Sequence, residues 1–265
     1  MSDRGQLKQA LRGRKLTVGS WLTFSDEAPA EIMARAGFKW LVVDMEHAPL
    51  GIAEAARLIR VISLAGLPAL CRLPANDPVI AKQVLDAGAA GILVPMVDSA
   101  ASARRAVDAA YYPPGGTRGV GLARAQEYGS GLERYRREAP DALVVIAMIE
   151  TQAGLEAVEA IAATPGLDGL LIGPYDLSAS LGHTGELHHP EVRAGAQRVQ
   201  EAARAAGLAC GMHVVHPSLA SVQAAVRDGY TFLALGVDMI LLAEAAGAAV
   251  RWATAPARSH QAVSS

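Results

Sequence analysis

Two acidic residues, Glu150 and Asp176, follow two apolar runs, and their type and spacing could support metal chemistry. The runs cover residues 144–149 and 169–172. Short apolar runs flanked by turn residues are typical of strands buried on both faces of a parallel sheet. Neighbouring strands lie about 4.8 Å apart, so both carboxylates can point at one spot. At ~4 Å they would repel by roughly 4 kcal/mol, which a shared proton or a divalent cation would relieve. We interpret the pair as a metal site.

A histidine and an arginine occupy comparable positions at the ends of two earlier runs. His47 follows the run at 40–46, and Arg72 lies near the end of the run at 68–73. The two are separated by nearly the same length of chain as the two acids, about one strand–helix unit. Each residue alone has an ordinary explanation, because such residues often cap helices, bind loop carbonyls or lie on the surface. Their joint placement at one mouth favours a functional interpretation.

For other polar residues near strand ends, the sequence gives weaker evidence of a catalytic or substrate-binding role. Asp44 is expected to orient its neighbours rather than react. His213 and His216, from the seventh run and its loop, either touch substrate or are structural. The histidines within 183–189 have no usual metal-ligand spacing, so we expect them in a solvated loop.

The positions of the lysines bear on the reaction mechanism. The four lysines are Lys8, Lys15, Lys39 and Lys82. None of them falls at the carboxyl end of a predicted strand. A Schiff-base mechanism needs a lysine in the active-site mouth, so this route is disfavoured.

Eight strand-like runs alternate with segments of helical spacing. The runs cover residues 18–24, 40–46, 68–73, 91–97, 143–150, 169–174, 209–215 and 232–237. Strict alternation predicts parallel strands joined by right-handed crossovers. Eight such units in 265 residues predict an α/β protein with a (β/α)8 TIM barrel, in which chemistry gathers at the carboxyl ends of the strands. A doubly wound open sheet is the main alternative, but its G-x-G-x-x-G motif is absent from the first turn.

The same pattern predicts one barrel domain over residues 1–255 and a mobile tail over 256–265. One connection, Tyr111 to Asp141, is longer than the others. A long loop on a compact scaffold is usually functional or disordered.

Composition excludes several classes of protein. Hydrophobic residues make up 51% and charged residues 19%, which can fill a large core, and a net charge of −2 argues against a nucleic-acid partner. Two cysteines, Cys71 and Cys210, are too few for a disulfide framework and fit a reducing compartment. The polar start has no signal core, and no apolar run is long enough to span a membrane. We expect a cytoplasmic protein without a membrane or nucleic-acid partner.

The candidate metal ligands suit a 2-keto acid substrate. Glu150 and Asp176 would leave most positions of an octahedral Mg²⁺-like site to substrate and water. The cation would polarise the ketone and stabilise an enolate. Arg72 would bind the enolate oxygen through charge-assisted hydrogen bonds.

Further groups could hold the substrate and move its proton. Backbone N–H groups around Gly173, Pro174, Tyr175 and Asp176, at a predicted helix start, could receive the substrate carboxylate. Histidine is a common general acid and base in enzymes, and His47 could move the aldol proton. The predicted reaction is reversible cleavage of a 4-hydroxy-2-keto acid into pyruvate and an aldehyde.

Six segments carry a resemblance to a known family: WLVVDMEHAP, LCRLPANDP, AGILVPMVDSA, YYPPGGTRGVG, MIETQAGL and GPYDLSASLG. In this order they resemble the metal-dependent class II pyruvate aldolases of the HpcH/HpaI family, such as 4-hydroxy-2-oxoheptanedioate and 2-dehydro-3-deoxyglucarate aldolases. The resemblance implies a barrel of the phosphoenolpyruvate/pyruvate-binding type. It also implies that Glu150 and Asp176 bind Mg²⁺, Mn²⁺ or Co²⁺, that Arg72 holds the keto acid, and that His47 is the base.

The resemblance further implies a homohexamer in which the eighth helix packs on a neighbouring subunit. The apolar C-terminal segment MILLAEAAGAAVRWA is compatible with such an exchange and equally with core packing. One departure concerns Met148, which stands two residues before Glu150 where family members often carry glutamine. This removes a polar contact from the pocket and bears on substrate choice.

Two other functions fit the same scaffold. An acyl-CoA lyase of the citrate lyase β type, or an oxaloacetate decarboxylase-like enzyme, would use similar enolate chemistry. A CoA substrate would favour basic residues around the mouth, and the sequence offers no clear set. A barrel that binds a keto acid without turnover is the alternative from a different class.

Overall fold

Eight parallel strands close into a barrel in chain order in the computed structural model, which describes residues 3–254. The strands are β1 Thr17–Leu22, β2 Trp40–Asp44, β3 Ala69–Arg72, β4 Gly91–Val94, β5 Val144–Ile149, β6 Gly169–Ile172, β7 Ala209–Val214 and β8 Phe232–Val237. Each strand pairs with the next, and β8 closes the barrel against β1. The predicted strands and the TIM-barrel class are confirmed. The predicted tail, 256–265, lies outside the described residues.

Helices follow the strands and surround them. They are α1 Asp3–Arg12, α2 Glu27–Arg35, α3 Ile52–Leu64, α4 Pro78–Asp86, α5 Ala100–Ala110, α6 Leu132–Ala142, α7 Gln152–Glu156, α8 Val158–Ala162, α9 Pro174–Ser180, α10 Pro190–Ala205, α11 Leu219–Arg227 and α12 Asp238–Thr254, with a 3-10 helix at Arg124–Gly129. Side-chain caps fix several starts: Asp77 accepts from the N–H of Val79, with Pro78 at the first helical position. Within residues 3–254, no helix has the length and apolar character needed to cross a membrane.

The barrel interior is filled by large side chains from alternating strand positions. Trp40 on β2 stacks on Phe232 of β8 with ring centroids 4.0 Å apart. A Cβ at Gly19 would lie 2.1 Å from the Trp40 ring, so only glycine leaves room for the indole there. The opposite face of each strand packs under the helices, which produces a second and larger hydrophobic core. The interior is therefore a packed core that rigidly supports the mouth above it.

The amino-terminal end of the barrel is closed by α1 and a buried lysine. Lys8 donates from Nζ to the Tyr111 hydroxyl at 2.8 Å, to the Leu143 carbonyl at 2.5 Å and to Asp168 Oδ2 at 3.0 Å. Lys8 and Asp168 are both buried, so each relies on the other for compensation of its charge. Lys8 therefore belongs to the end opposite the expected site.

The long connection after Tyr111 also lies at the amino-terminal end, because it joins the end of α5 to α6 and the start of β5. Arg118 is buried there and donates to Asp86 Oδ1 at 2.5 Å and to the Tyr135 hydroxyl at 2.9 Å. Its guanidinium carbon lies 4.9 Å from the centre of the Tyr112 ring. These contacts fix the position of the connection at this end of the barrel, which argues against the disordered alternative.

The buried pair at this end predicts a stability effect. Lys8→Met should lower the free energy of unfolding by about 3–5 kcal/mol, because the Asp168 carboxylate is left buried without a counter-charge. Urea unfolding at neutral pH measures the loss. The double variant Lys8→Met/Asp168→Leu should recover much of it, and equal losses in the single and double variants would contradict the assignment.

Candidate active site

Asp44 and Arg72 form the fixed part of the site at the carboxyl end of the barrel. The β2–β3 register pairs these two residues directly. Arg72 donates from Nε to Asp44 Oδ1 at 2.9 Å and from Nη2 to Oδ2 at 2.5 Å, a bidentate contact. Burial alone would raise the pKa of Asp44, but the hydrogen bonds and charge of Arg72 outweigh it, and the net pKa is lowered. Asp44 stays ionised and locks the guanidinium, in the orienting role predicted for it.

The Arg72 guanidinium is also held from below. Its central carbon lies 4.4 Å from the centre of the Trp21 ring, which belongs to the interior core. Met148 lies in the same interior core on the β5 side and is 2% exposed. These two side chains form the apolar floor of the mouth. Where a glutamine would bring a polar group, Met148 contributes only packing.

Glu150 continues β5 and is almost completely enclosed. It is 2% exposed, and its Oε2 accepts a hydrogen bond from the backbone N–H of Met96 at 2.8 Å. Its Oε1 lies 2.6 Å from the position that a Cβ on Gly173 would occupy, so glycine makes room for the carboxylate. Burial, with a smaller contribution from the charges of Glu46 and Asp176, raises the pKa of Glu150 to about 7, although the Met96 N–H and Arg72 act in the opposite direction.

Asp176 approaches from the neighbouring loop. Gly173 precedes α9, and Pro174, Tyr175 and Asp176 form its first turn, where backbone N–H groups lack partners within the helix. The side chains of Tyr175 and Asp176 are exposed at the rim of the mouth. The Asp176 charge contributes to the raised pKa of Glu150, so the structure brings the two predicted metal ligands into one electrostatic cluster.

A third carboxylate, Glu46, joins this cluster, although it was not among the functional residues predicted from the sequence. Its Oε2 is buried and has no hydrogen-bond partner among the described residues. That atom lies 3.4 Å from Arg72 Nη1. Burial raises the pKa of Glu46, Arg72 lowers it, and Asp44 and Asp176 raise it again. The available signal was its position two residues beyond Asp44, which continues the inward alternation of β2.

His47 lies at the edge of the site. Its backbone N–H donates to Asp44 Oδ1 at 3.3 Å, and its Nε2 lies 3.9 Å from Glu46 Oε2. The imidazole is 58% exposed. The structure therefore places His47 at the rim near Glu46 and in contact with solvent, whereas Arg72 and Glu150 are buried.

The donor set suits a hard divalent cation. Glu46, Glu150 and Asp176 come from three different loops, and burial and neighbouring carboxylates raise the pKa values of Glu46 and Glu150. Glu46 Oε2 has the charge of Arg72 nearby but accepts no hydrogen bond, and a buried carboxylate oxygen in this state is costly unless a cation or proton satisfies it. Oxygen ligands of this kind are those preferred by Mg²⁺ and Mn²⁺. Glu150 and Asp176 could hold such an ion, with Glu46 beside it.

A second group of possible ligands, His183, Glu186 and His189, lies in the loop before α10. Their ligand atoms all lie within 4.8 Å of one another. The two imidazoles, however, stack with centroids 3.4 Å apart and an interplanar angle of 20°, so their in-plane lone pairs run side by side rather than converging. His183 Nε2 instead contacts Glu191 Oε2 at 2.7 Å, and His189 caps α10. This is the geometry of a loop network, as expected for these histidines.

The family comparison agrees with this geometry. The model of the HpcH/HpaI aldolase/citrate lyase family matches residues 17–245. The chain is 39% identical to a hydroxypyruvate/pyruvate aldolase of Chromohalobacter salexigens over 92% of this chain and 95% of that protein. It is 42% identical to a 4-hydroxy-2-oxovalerate aldolase of Rhodococcus jostii over 92% and 93% of the two chains. Both relatives are aldolases, which are carbon–carbon lyases.

Solved structures show the same relationship. A HpcH/HpaI aldolase/citrate lyase family protein from Burkholderia cenocepacia superposes with a TM-score of 0.88 at 37% identity, covering 94% of this chain and 99% of the other. A citrate lyase beta subunit from M. tuberculosis is more distant, with a TM-score of 0.57 at 17% identity over 87% and 95% of the chains. That likeness shows a shared fold alone.

The raised pKa of Glu150 predicts how stability depends on pH. The folded pKa of about 7 lies above the unfolded value of about 4.3, so the metal-free folded state binds the proton more tightly. Stability should therefore fall as pH rises from about 4.5 to about 7, by up to roughly 4 kcal/mol. Glu150→Gln removes this titration. Urea unfolding in the presence of a chelator measures this effect. The free energy of unfolding of Glu150→Gln, relative to that of the wild type, should increase between about pH 4.5 and pH 7. A difference that does not change with pH would contradict the assignment.

Proposed function

Because the chain belongs to the HpcH/HpaI aldolase/citrate lyase family, we propose that it is a divalent-metal-dependent aldolase. It cleaves a 4-hydroxy-2-keto acid reversibly into pyruvate, or a close 2-keto acid, and an aldehyde. The supporting observation is the convergence of Glu46, Glu150 and Asp176 beside the Arg72 guanidinium in one mouth.

Metal binding falls to Glu150 and Asp176, with Mg²⁺, Mn²⁺ or Co²⁺ as candidate ions. Aldolases of this family generally depend on a divalent metal. Bound here, the ion would act as a Lewis acid toward the keto group of the substrate. Glu150 must lose its proton before it can serve as a ligand, so metal affinity should increase with pH up to about 7.

Arg72 stabilises the negative charge that develops on the keto oxygen during cleavage. Asp44 occupies its Nε and Nη2 groups and fixes its plane, which leaves the Nη1 side directed toward the acid cluster. A preorganised guanidinium needs little reorganisation as the charge forms. The first-turn N–H groups at Tyr175 and Asp176 receive the substrate carboxylate.

His47 serves as the base for the aldol proton. It takes the proton of the C4 hydroxyl while the C3–C4 bond breaks and the aldehyde leaves, and protonation of C3 then gives pyruvate. Its exposed position lets it exchange the proton with solvent, and Glu46, 3.9 Å away, can orient the ring.

Two rival functions make different predictions. A citrate lyase β-like acyl-CoA lyase or an oxaloacetate decarboxylase would release its products from a thioester or a β-keto diacid. A non-catalytic barrel would bind keto acids without turnover. The aldolase relatives, at 39% and 42% identity, favour the aldol reaction over both.

A coupled assay tests the proposal. Pyruvate released from a panel of 4-hydroxy-2-keto acids is detected with lactate dehydrogenase in the presence of Mg²⁺, Mn²⁺ or Co²⁺. Turnover should require metal, and Asp176→Asn should lower it by at least about 100-fold, because Lewis-acid catalysis contributes several kcal/mol. Pyruvate binding without product for any substrate or metal would favour the non-catalytic barrel.

The role of His47 has its own test. His47→Ala should reduce the retro-aldol rate by about two to four orders of magnitude, the usual contribution of general acid–base catalysis. Proton exchange at C3 of pyruvate, followed by NMR in D₂O, should be affected less, because that step does not involve the aldol hydroxyl. Equal losses in both reactions would remove His47 from the aldol step.

We also propose that the chain forms a homo-oligomer, with a hexamer as the expected state, through α12. Asp238 is the buried residue of this helix, and Leu242, Val250 and Trp252 are 61%, 63% and 78% exposed. Burying such side chains against a second copy would remove a large apolar surface from water.

Light scattering after size exclusion tests this assembly. The wild type should elute with a mass near six chains, and Trp252→Glu or Leu242→Glu should dissociate it because a carboxylate would be buried at the interface. Leu64→Glu, at an equally exposed position on α3, is the control. A monomeric wild type would contradict the proposal.

A further inference from the structure

His213, on β7, faces the interior of the barrel at its mouth. Ala209 belongs to the interior core, whereas Cys210 and Val214 pack in the outer core under the helices. Residues on one strand alternate between faces, so His213 shares the inward face with Ala209. Its ring centroid lies 5.5 Å from that of Trp21, the residue beneath Arg72.

The protonation of His213 is defined by its surroundings. Burial lowers its pKa to about 4, so the ring is neutral near pH 7. Its Nε2 lies 3.0 Å from the carbonyl oxygen of Gly236, which can only accept, so Nε2 carries the proton and donates. Nδ1 therefore carries a lone pair.

This lone pair has no partner in the described part of the protein. No described residue donates a hydrogen bond to Nδ1. Nδ1 is also not enclosed by the protein, so it is open to the mouth. A substrate hydroxyl can donate a hydrogen bond to such a nitrogen without adding charge to the mouth.

The other polar side chains of the mouth are charged, whereas His213 is neutral. Glu46, Glu150 and Asp176 are acids suited to a cation, and Arg72 can only donate. A neutral acceptor at the edge of this charged cluster distinguishes a substrate hydroxyl from a methyl group without adding charge. The other histidine of this segment, His216, contacts Glu244 of α12 at 2.6 Å and is exposed.

We propose that His213 is a specificity-determining residue whose Nδ1 accepts a hydrogen bond from a substrate hydroxyl. This rests on the proposed aldolase function and narrows its substrate class. The hydroxyl belongs either to the keto acid, as a 3-hydroxy-2-keto acid, or to the aldehyde, as a 2-hydroxy aldehyde. A site with an unpaired acceptor disfavours the analogue that lacks the hydroxyl.

The experiment compares substrate pairs that differ by one hydroxyl. Hydroxypyruvate against pyruvate, each with one common aldehyde, tests the keto-acid source, and glycolaldehyde against acetaldehyde, each with pyruvate, tests the aldehyde source. In one of the two arms the wild type should prefer the hydroxylated partner in kcat/KM by about tenfold, the usual value of one hydrogen bond. His213→Leu should abolish this preference.

Matched variants separate this role from a structural one. His213→Asn keeps an acceptor near the position of Nδ1 and should retain most of the preference. His216→Leu changes the exposed histidine of the same segment and should leave the ratio unchanged. A wild-type ratio near one in both arms, or a ratio that His213→Leu leaves intact, would overturn the proposal.

Failure of the aldolase function can be told apart from failure of this inference. If no pair gives product with any metal, the proposed function is wrong. Calorimetry on the metal-loaded protein then tests His213 by comparing the affinity for hydroxypyruvate with that for pyruvate, and the affinity for glycolaldehyde with that for acetaldehyde. Tighter binding of the hydroxylated member of one pair that is lost in His213→Leu would support the role. Equal affinities within both pairs, or a difference unchanged by the substitution, would overturn it.

Discussion

Electrostatic repulsion among three acids at one mouth is the constraint on which the site depends. Glu46, Glu150 and Asp176 are brought together by loops that follow β2, β5 and β6, and burial makes each ionised form of the enclosed acids costly. A single guanidinium, Arg72, lies among them, and Asp44 already compensates most of its charge. The cluster thus retains an excess of negative charge, which a divalent cation would neutralise.

The barrel interior makes this arrangement rigid. Trp40 and Phe232 fill the interior, and Trp21 forms the surface on which Arg72 rests. Because the packed core beneath the mouth leaves little room for movement, the guanidinium keeps its orientation. The apolar floor also removes water from beneath the charged groups, which strengthens their interactions. Packing and electrostatics therefore act on the same residues.

The two ends of the barrel have different roles: the carboxyl end carries the candidate active site, and the amino end carries buried ion pairs that support the fold. The carboxyl end carries acids that are only partly compensated, while the amino end carries Lys8 and Asp168 in direct contact, with Arg118 held by Asp86 and Tyr135. Buried charged groups that are paired with an opposite charge add specificity of structure, and a polar atom that lacks a partner and reaches the mouth is available to a ligand. His213 is of the second kind, since one ring nitrogen is bonded to Gly236 and the other is open to the mouth.

The sequence by itself determined the eight strands, the barrel class and the placement of Asp44, Arg72, Glu150 and Asp176 at one end, because strand alternation and strand-end position are local properties of the chain. Tertiary structure alone decided which groups are buried and which partners they have. Three features depend on contacts between segments far apart in the sequence: the Glu46 oxygen that accepts no hydrogen bond, the exposure of His47, and the position of the long connection after Tyr111 at the opposite end. Burial and hydrogen-bond partners set the pKa of an acid and determine which ring nitrogen of a histidine keeps an unpaired lone pair. Both exist only once the barrel has closed, so neither follows from the sequence alone.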